Sequence, residues 1–212
     1  MFKNIYKGFT VGQIEAVLNT VTAAGGIDAL LRGDLEVRPK PFPFAKNEHG
    51  HWILTLTGFD LTGAEEIDRL KAHGFRVGDY ATQCLMSTMP DSYDANHRLS
   101  GAKTYNVVIV PGKEVKENRT TANLRAYAEK FGYQKPLAGI MPRVREAVSD
   151  KQLEEMGIVY TAGLHDPIKD SDGGPDVLNS HRYGDGRWLS AYWDIPGYQW
   201  NDNGAFVFVV PE

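Results

Sequence analysis

The most informative segment of the sequence is Asn179-Ser-His-Arg-Tyr183-Gly-Asp-Gly-Arg-Trp188-Leu-Ser-Ala-Tyr192-Trp-Asp-Ile-Pro-Gly-Tyr198-Gln-Trp200-Asn-Asp-Asn-Gly-Ala-Phe-Val-Phe-Val-Val-Pro211. Three of the four tryptophans of the chain lie in this segment, and it contains no lysine. Tyr, Trp, Ser, Gly, Asn and Asp dominate it. This composition is typical of binding surfaces, because aromatic rings give large contact area at low entropic cost and small polar side chains give adaptable hydrogen bonds. The apolar run Phe206–Val210 predicts a buried strand at the end of the segment.

Length, composition and charge bound the class of protein. The chain has 212 residues, of which 42% are apolar and 24% charged, so it can form one large domain or a domain with a smaller extension. The formal net charge is -4 and no basic stripe is visible. We therefore expect no nucleic acid partner, since phosphate neutralisation needs clustered Lys and Arg.

Cysteine content and hydropathy exclude further classes. Cys84 is the single cysteine, which excludes an intrachain disulfide framework and a multi-cysteine zinc site. Its apolar neighbours predict a buried structural thiol. No run reaches the roughly 18 apolar residues of a membrane span, and the N-terminus lacks the apolar core of a signal peptide. We expect a soluble product without a membrane span, and its localisation stays open, with display on a virion or a cell surface as one option.

The first 48 residues are predicted to be a separate helical extension. Apolar residues at helical spacing over 11–31, interrupted at Gly25-Gly26, predict a helix followed by a short second helix. The segment Arg38-Pro-Lys-Pro-Phe-Pro-Phe44 predicts an extended linker. We therefore divide the chain into an extension with a proline-rich linker at 1–48 and a main domain at 49–212.

The main domain mixes strands and helices without strict alternation, which favours an α+β fold over a parallel α/β sheet. Two capping boxes, Thr62-Gly-Ala-Glu65 and Ser149-Asp-Lys-Gln152, mark helix starts. The predicted helices are 62–74, 118–131, 136–148 and 149–156, and the predicted strands are 52–57, 76–78, 84–87, 105–110, 157–164, 188–193 and 205–210.

Acidic residues before a glycine turn give a candidate metal site. Asp170, Asp172 and Asp176 resemble the first half of a calcium-binding loop, although the later ligands of such a loop are missing. The alternative is a polar turn held by hydrogen bonds from the aspartate side chains. His165 and Asp166 precede this turn, so a metal-dependent hydrolase or transferase using His165, Asp166, Asp170 and Asp172 is the competing functional hypothesis.

The residues of the 179–211 segment divide into two interleaved sets. Large apolar residues are predicted to be scaffold, and these are Trp188, Leu189, Trp200, Phe206 and Phe208. Mixed polar residues rarely share a core, so the intervening ones are predicted to be exposed. The alternative is that the tryptophans and tyrosines are simply core, or that the segment packs against another subunit.

With these residues in view, the last third of the chain resembles the variable proteins of diversity-generating retroelements. The resemblance depends on Gly186-Arg-Trp-Leu189, Tyr192-Trp193, Trp200 and Gly204-Ala-Phe-Val-Phe208. Within that family the first and last of these motifs are fixed, and the positions between them are rewritten by error-prone reverse transcription at template adenines.

The resemblance implies a C-type-lectin-like fold with a variable region at about 179–204. It implies a phage or bacterial ligand-binding protein that is not an enzyme and needs no cofactor, with Ca²⁺ at Asp170, Asp172 and Asp176 as the alternative. The expected partner is a protein or glycan such as a cell-surface receptor, and the oligomeric state stays open. The implied ligand-binding residues are Asn179, Ser180, Tyr183, Ser190, Tyr192, Asp194, Tyr198, Gln199, Asn201 and Asn203.

Overall fold

The computed structural model describes residues 11–23, 25–32, 44–183 and 186–211, and the chain divides into two units, Met1–Pro41 and Phe42–Glu212. The first unit contains α1 (Val11–Ala23) and α2 (Gly26–Leu31). The interruption predicted at Gly25-Gly26 is confirmed, since both residues have positive φ, a conformation that glycine adopts without strain. The predicted linker lies outside the described residues except for Phe44.

In the described part of the second unit, nine strands form one large mixed sheet. Its order is β1-β2-β4-β9-β5-β7-β8-β3, and β6 pairs with β7 beside this path. The pairs β5–β9 and β3–β8 are parallel and the other pairs are antiparallel. The strands are β1 (Ala45–Lys46), β2 (Trp52–Thr57), β3 (Arg76–Val77), β4 (Thr104–Pro111), β5 (Tyr160–Gly163), β6 (Ile168–Lys169), β7 (Pro175–Tyr183), β8 (Gly186–Trp193) and β9 (Gly204–Val209).

Helices cover the sheet, and the α+β class is confirmed. Both predicted capping boxes are formed, at the starts of α3 and α8. The helices of this unit are α3 (Gly63–Ala72), α4 (Asp79–Met86), α5 (Tyr93–Asn96), α6 (Thr121–Glu129), α7 (Ile140–Ala147) and α8 (Asp150–Glu155), with a short 3-10 turn at Gly112–Glu114.

The strand predicted at 84–87 is wrong, because these residues belong to the end of α4 and the residue after it. The buried residues of α4 are Ala81, Cys84 and Leu85, and this spacing is that of one helical face. The apolar run was too short to distinguish a strand from a buried helical turn. Cys84 is fully buried, as predicted.

The strand predicted at the end of the 179–211 segment is confirmed, and it lies inside the sheet. β9 pairs antiparallel with β4 and parallel with β5. Its side chains alternate between two cores: Ala205 and Val207 join the cluster on one face, and Phe206 and Phe208 join the cluster on the other. A strand buried on both faces reads as a continuous apolar run, which is the pattern of this segment.

Gly204, the first residue of β9, is required by close packing. A methyl group added there would overlap the phenol ring of Tyr160 on β5. The Tyr160 ring is buried, and its hydroxyl donates a hydrogen bond to the Asn201 carbonyl oxygen at 3.2 Å. The ring therefore has little room to move away.

We predict that Gly204→Ala lowers the free energy of unfolding by about 1–3 kcal/mol, because an overpacked core must shift backbone or rotamers. Urea denaturation followed by circular dichroism measures the change. Gly101→Ala is the matched control, since its added methyl group comes no closer than 3.4 Å to Asp60. Equal stability of the Gly204 variant and the wild type would contradict the packing described here.

Candidate ligand-binding surface

A groove of about 210 Å³ opens on one face of the sheet beside β7 and β8. We call it the aromatic groove, and it is lined by Val159, Tyr160, His181, Tyr192, Tyr198, Trp200, Asn201 and Asn203. Its rings contact one another: the centroid distances are 5.4 Å for Tyr160 and His181, and 5.9 Å for Tyr192 and Trp200. Aromatic groups at such distances pack favourably, so the groove has a continuous ring-lined floor.

The pairing of β7 with β8 places the residues of this face. Val177 pairs with Tyr192, and His181 pairs with Trp188. Because side chains alternate along a strand, His181 shares the face of Val177, and Val177 belongs to the core cluster that contains Trp200 and Phe206. The groove therefore lies directly over a core and not over a loop.

The loop from β8 to β9 is held by α6. The Trp200 amide donates a hydrogen bond to the Arg119 carbonyl oxygen at 3.0 Å, and the Arg119 side chain donates one to the Trp200 carbonyl oxygen at 2.8 Å. The Trp200 indole donates to the Thr121 hydroxyl at 3.0 Å, and that hydroxyl donates to the Asp194 carboxylate. Arg125 lies 3.7 Å from the other oxygen of Asp194. The loop is thus fixed at Asp194 and at Trp200, to α6 and to Arg119 just before that helix.

Several predicted ligand-binding residues meet in the aromatic groove. Tyr192, Tyr198, Asn201 and Asn203 line it, and Gln199 is exposed in the same loop. Ser190 is half-buried on β8. Among the predicted scaffold residues, Leu189, Trp200, Phe206 and Phe208 are buried, while Trp188 is half-buried with the Arg76 guanidinium 5.3 Å from its ring centroid.

Three of the predicted ligand-binding residues are not exposed, so the prediction is wrong for them. Asn179 and Ser180 are buried in the middle of β7, and the Ser180 hydroxyl bonds that of Thr161 at 2.7 Å. The Asp194 side chain is only 7% exposed, because α6 covers it. Composition alone did not reveal that β7 is an internal strand. Tyr183 belongs to the end of β7, but its side chain lies outside what the structure describes.

Tyr160 and His181 are groove residues that the sequence reasoning missed. Tyr160 was predicted only as part of the strand 157–164, and His181 was given no role. A period-2 pattern over Pro175–Tyr183 was the available signal, since it places His181 on the same face as Asn179 and Val177.

The geometry gives His165 no free nitrogen for acid/base work. His165 is fully buried; its Nδ1 bonds the Asp166 carbonyl oxygen at 2.7 Å, and its Nε2 accepts from the Leu178 amide at 2.9 Å. Burial, the nearby His97 and Arg125 lower its pKa to about 3, against the weaker influence of Asp166. The Asp166 carboxylate points to solvent and pairs with Lys135 at 2.6 Å. These residues are engaged in structural contacts.

The candidate calcium loop is a turn closed on itself. The Asp170 carboxylate accepts hydrogen bonds from the Asp172 amide at 2.9 Å and from the Gly174 amide at 2.7 Å. Asp172 is exposed. Among the described residues, no group of three or more His, Cys, Asp or Glu side chains is placed to hold a metal ion. The two hydrogen bonds to Asp170 Oδ1 are those expected for the turn alternative.

A second cavity, of about 330 Å³, adjoins the aromatic groove and shares Tyr192 and Tyr198 with it. We call it the edge pocket, and its other lining residues are Tyr80, Asp176, Ala191, Trp193 and Ile195. Asp176 is 1% exposed, and apart from the neighbouring Asp170 carboxyl group no described residue offers a hydrogen bond to its carboxylate oxygens. Burial, followed by the charge of Asp170, raises the pKa of Asp176 to about 7.

Comparisons with known proteins add no relative. No protein-family model, curated protein or solved structure matches the chain. Among the described residues, no helix is long and apolar enough to cross a membrane.

We predict that Asp176→Asn stabilises the chain more at pH 8 than at pH 4. The folded-state pKa of about 7 exceeds the ordinary value of 3.8, so the folded wild type binds more protons than the unfolded chain between these values. The contribution of Asp176 to the stability of the wild type therefore falls as pH rises from about 4 to about 7. The amide cannot titrate, so the stability difference between variant and wild type grows over that window by an amount on the order of 2–4 kcal/mol.

Chemical denaturation at several pH values measures this difference. The groups that face Asp176 are Asp170, which stays in place, and Cys84 on α4, whose pKa burial raises. Asp172→Asn is the control, since that carboxylate is exposed in the same turn. A stability difference that does not change with pH would contradict the raised pKa of Asp176.

Proposed function

We propose that this protein is a ligand-binding protein that displays a diversified surface on a C-type-lectin-like scaffold, and that it is the target of a diversity-generating retroelement. Its ligand would be a protein or a glycan, such as a cell-surface receptor. The observation that carries the proposal is the aromatic groove: Tyr192, Tyr198, Asn201 and Asn203 surround the buried Trp200.

The contrast between fixed and free side chains supports this function. Trp200 is 3% exposed, its backbone bonds Arg119 and its indole bonds Thr121 of α6, whereas Gln199, Asn201 and Asn203 beside it are exposed. Side chains on such a braced loop can change without a change of fold, so binding specificity can be rewritten. Rigid aromatic rings with adaptable polar neighbours are the chemistry of binding surfaces selected from many variants.

The resemblance described above supports the lectin-like part of the proposal. The motif Gly186-Arg-Trp-Leu189 begins β8, and the closing motif that starts at Gly204 is β9. In the family that this chain resembles, both motifs are fixed scaffold. Here both are paired strands of the sheet, and the positions proposed to vary lie between them.

The geometry narrows the set of positions that would contact a ligand. We propose Ser190, Tyr192, Tyr198, Gln199, Asn201 and Asn203, and we omit Asn179, Ser180 and Asp194 because they are buried or covered. We propose no catalytic role, because both ring nitrogens of His165 are bonded within the fold.

Deep sequencing of the coding segment across one population tests the proposal. We expect substitutions at adenines in the codons of Tyr192, Tyr198, Asn201 and Asn203, and a nearly identical template copy beside a reverse transcriptase gene. Asn179 is the internal control, because its codon also contains adenines but its side chain is buried. In proteins that still fold, we expect Asn179 to stay unchanged.

Two outcomes would count against the proposal. A locus without a reverse transcriptase and without adenine-restricted variation would remove the retroelement. Variation at Asn179 as frequent as at Asn201 would show that burial does not limit the variable positions.

A further inference from the structure

The edge pocket has the chemistry of a cation site. Four aromatic side chains line it, and the exposed fractions of three of them are 46% for Tyr80, 42% for Tyr192 and 51% for Trp193. The faces of aromatic rings carry negative potential and attract ammonium groups. Such rings are costly to leave in water, so an open group of them marks a binding site.

Asp176 supplies a negative charge to the lining of the pocket. It is the one charged residue among the described residues that line the pocket, and it is almost completely buried. Apart from the neighbouring Asp170 carboxyl group, no described residue offers a hydrogen bond to its two oxygens. An ionised carboxylate is expensive to bury, and burial, the charge of Asp170 and a side-chain hydrogen bond with Asp170 raise the pKa of Asp176 to about 7, so a cation in the pocket would stabilise its charged form.

The pocket also has the size and the charge balance for a small organic cation. Its volume of about 330 Å³ lies at the lower end of the range for ligand pockets, about 300–1,000 Å³. No lysine or arginine lines it, among the residues that the structure describes. A bare metal ion is a poorer match, because aromatic walls do not supply the oxygen ligands that such an ion needs.

We propose that the edge pocket binds an organic ammonium group, either of a lysine side chain on a protein ligand or of a small quaternary amine, with Asp176 as counter-ion and Tyr80, Tyr192, Trp193 and Tyr198 as walls. The proposal rests on the proposed function, because Tyr192 and Tyr198 belong to both surfaces. It deepens that function by naming the chemistry that the ligand presents. Tyr80 and Asp176 lie outside the region proposed to vary, whereas the walls Tyr192 and Tyr198 lie within it, so variation would change the walls of the cation site but not its counter-ion.

Titration of the purified full chain with three probes tests this inference. The probes are choline, N-acetyl-lysine methylamide and 3,3-dimethylbutan-1-ol, the last being a neutral molecule of the same shape as choline. Binding is followed at pH 8 by the shift of the tryptophan indole NMR signals. We expect at least one cation to bind about tenfold or more tightly than the alcohol, and to lose about tenfold in affinity at pH 6, where Asp176 is mostly protonated.

Variants distinguish binding at this site from nonspecific binding. Asp176→Asn should remove the preference for the cation over the alcohol, and Tyr80→Leu should weaken cation binding by about threefold to tenfold because it removes an aromatic face but keeps an apolar one. Asp172→Asn, an exposed change in the neighbouring turn, should bind as the wild type does. Near-ultraviolet circular dichroism of each variant checks that it is folded.

Each outcome has a defined meaning. Tighter binding of choline assigns the site to a small quaternary amine, and tighter binding of the lysine derivative assigns it to a protein ligand. The inference is overturned if neither cation binds better than the alcohol, or if a folded Asp176→Asn chain binds the cation as the wild type does. The retroelement hypothesis is tested by sequencing alone and the cation site by ligand titration alone. Failure of one can therefore be distinguished from failure of the other.

Discussion

The placement of β9 between β4 and β5 is the constraint on which the rest of the structure depends. This strand joins the antiparallel strands that come first in the second unit to the strands β5, β7 and β8 that come late. It fills both cores, with Ala205 and Val207 on one face and Phe206 and Phe208 on the other. Because β9 starts at Gly204 against the Tyr160 ring, the preceding loop must cross the face of the sheet at that point. The aromatic groove and the edge pocket both border that loop.

The loop keeps its position through polar contacts as well as packing. Thr121 receives a hydrogen bond from the Trp200 indole and donates one to Asp194, so a single hydroxyl connects two points of the loop to α6. These groups are largely covered, and partly buried hydrogen bonds to a charged acceptor are among the stronger ones. The exposed side chains of Gln199, Asn201 and Asn203 have no such role. The scaffold and the surface are therefore carried by different residues of the same ten-residue stretch, residues 194–203.

Local signals in the sequence predicted much of the fold but only part of the site. The capping boxes at Thr62 and Ser149 and the apolar run of β9 are encoded within a few residues, and all three are confirmed. Partners distant in sequence were not predictable in this way. Asp194 bonds Thr121, 73 residues away, and Asn179 is buried because β7 lies between β5 and β8. Polar composition made both residues look exposed, and only the strand order corrects this.

The most direct test of the separation between scaffold and surface compares two variants of this loop by urea denaturation. One carries Gln199→Ala, Asn201→Ala and Asn203→Ala together, and the other carries Asp194→Ala alone. The triple variant should change the free energy of unfolding by about 1 kcal/mol or less, because exposed side chains contribute little. The single variant should lose about 2 kcal/mol or more, because it leaves the Thr121 hydroxyl without its acceptor and removes the carboxylate that lies 3.7 Å from the Arg125 guanidinium. A triple variant that is less stable than the Asp194 variant would contradict the separation between scaffold and surface residues in this loop.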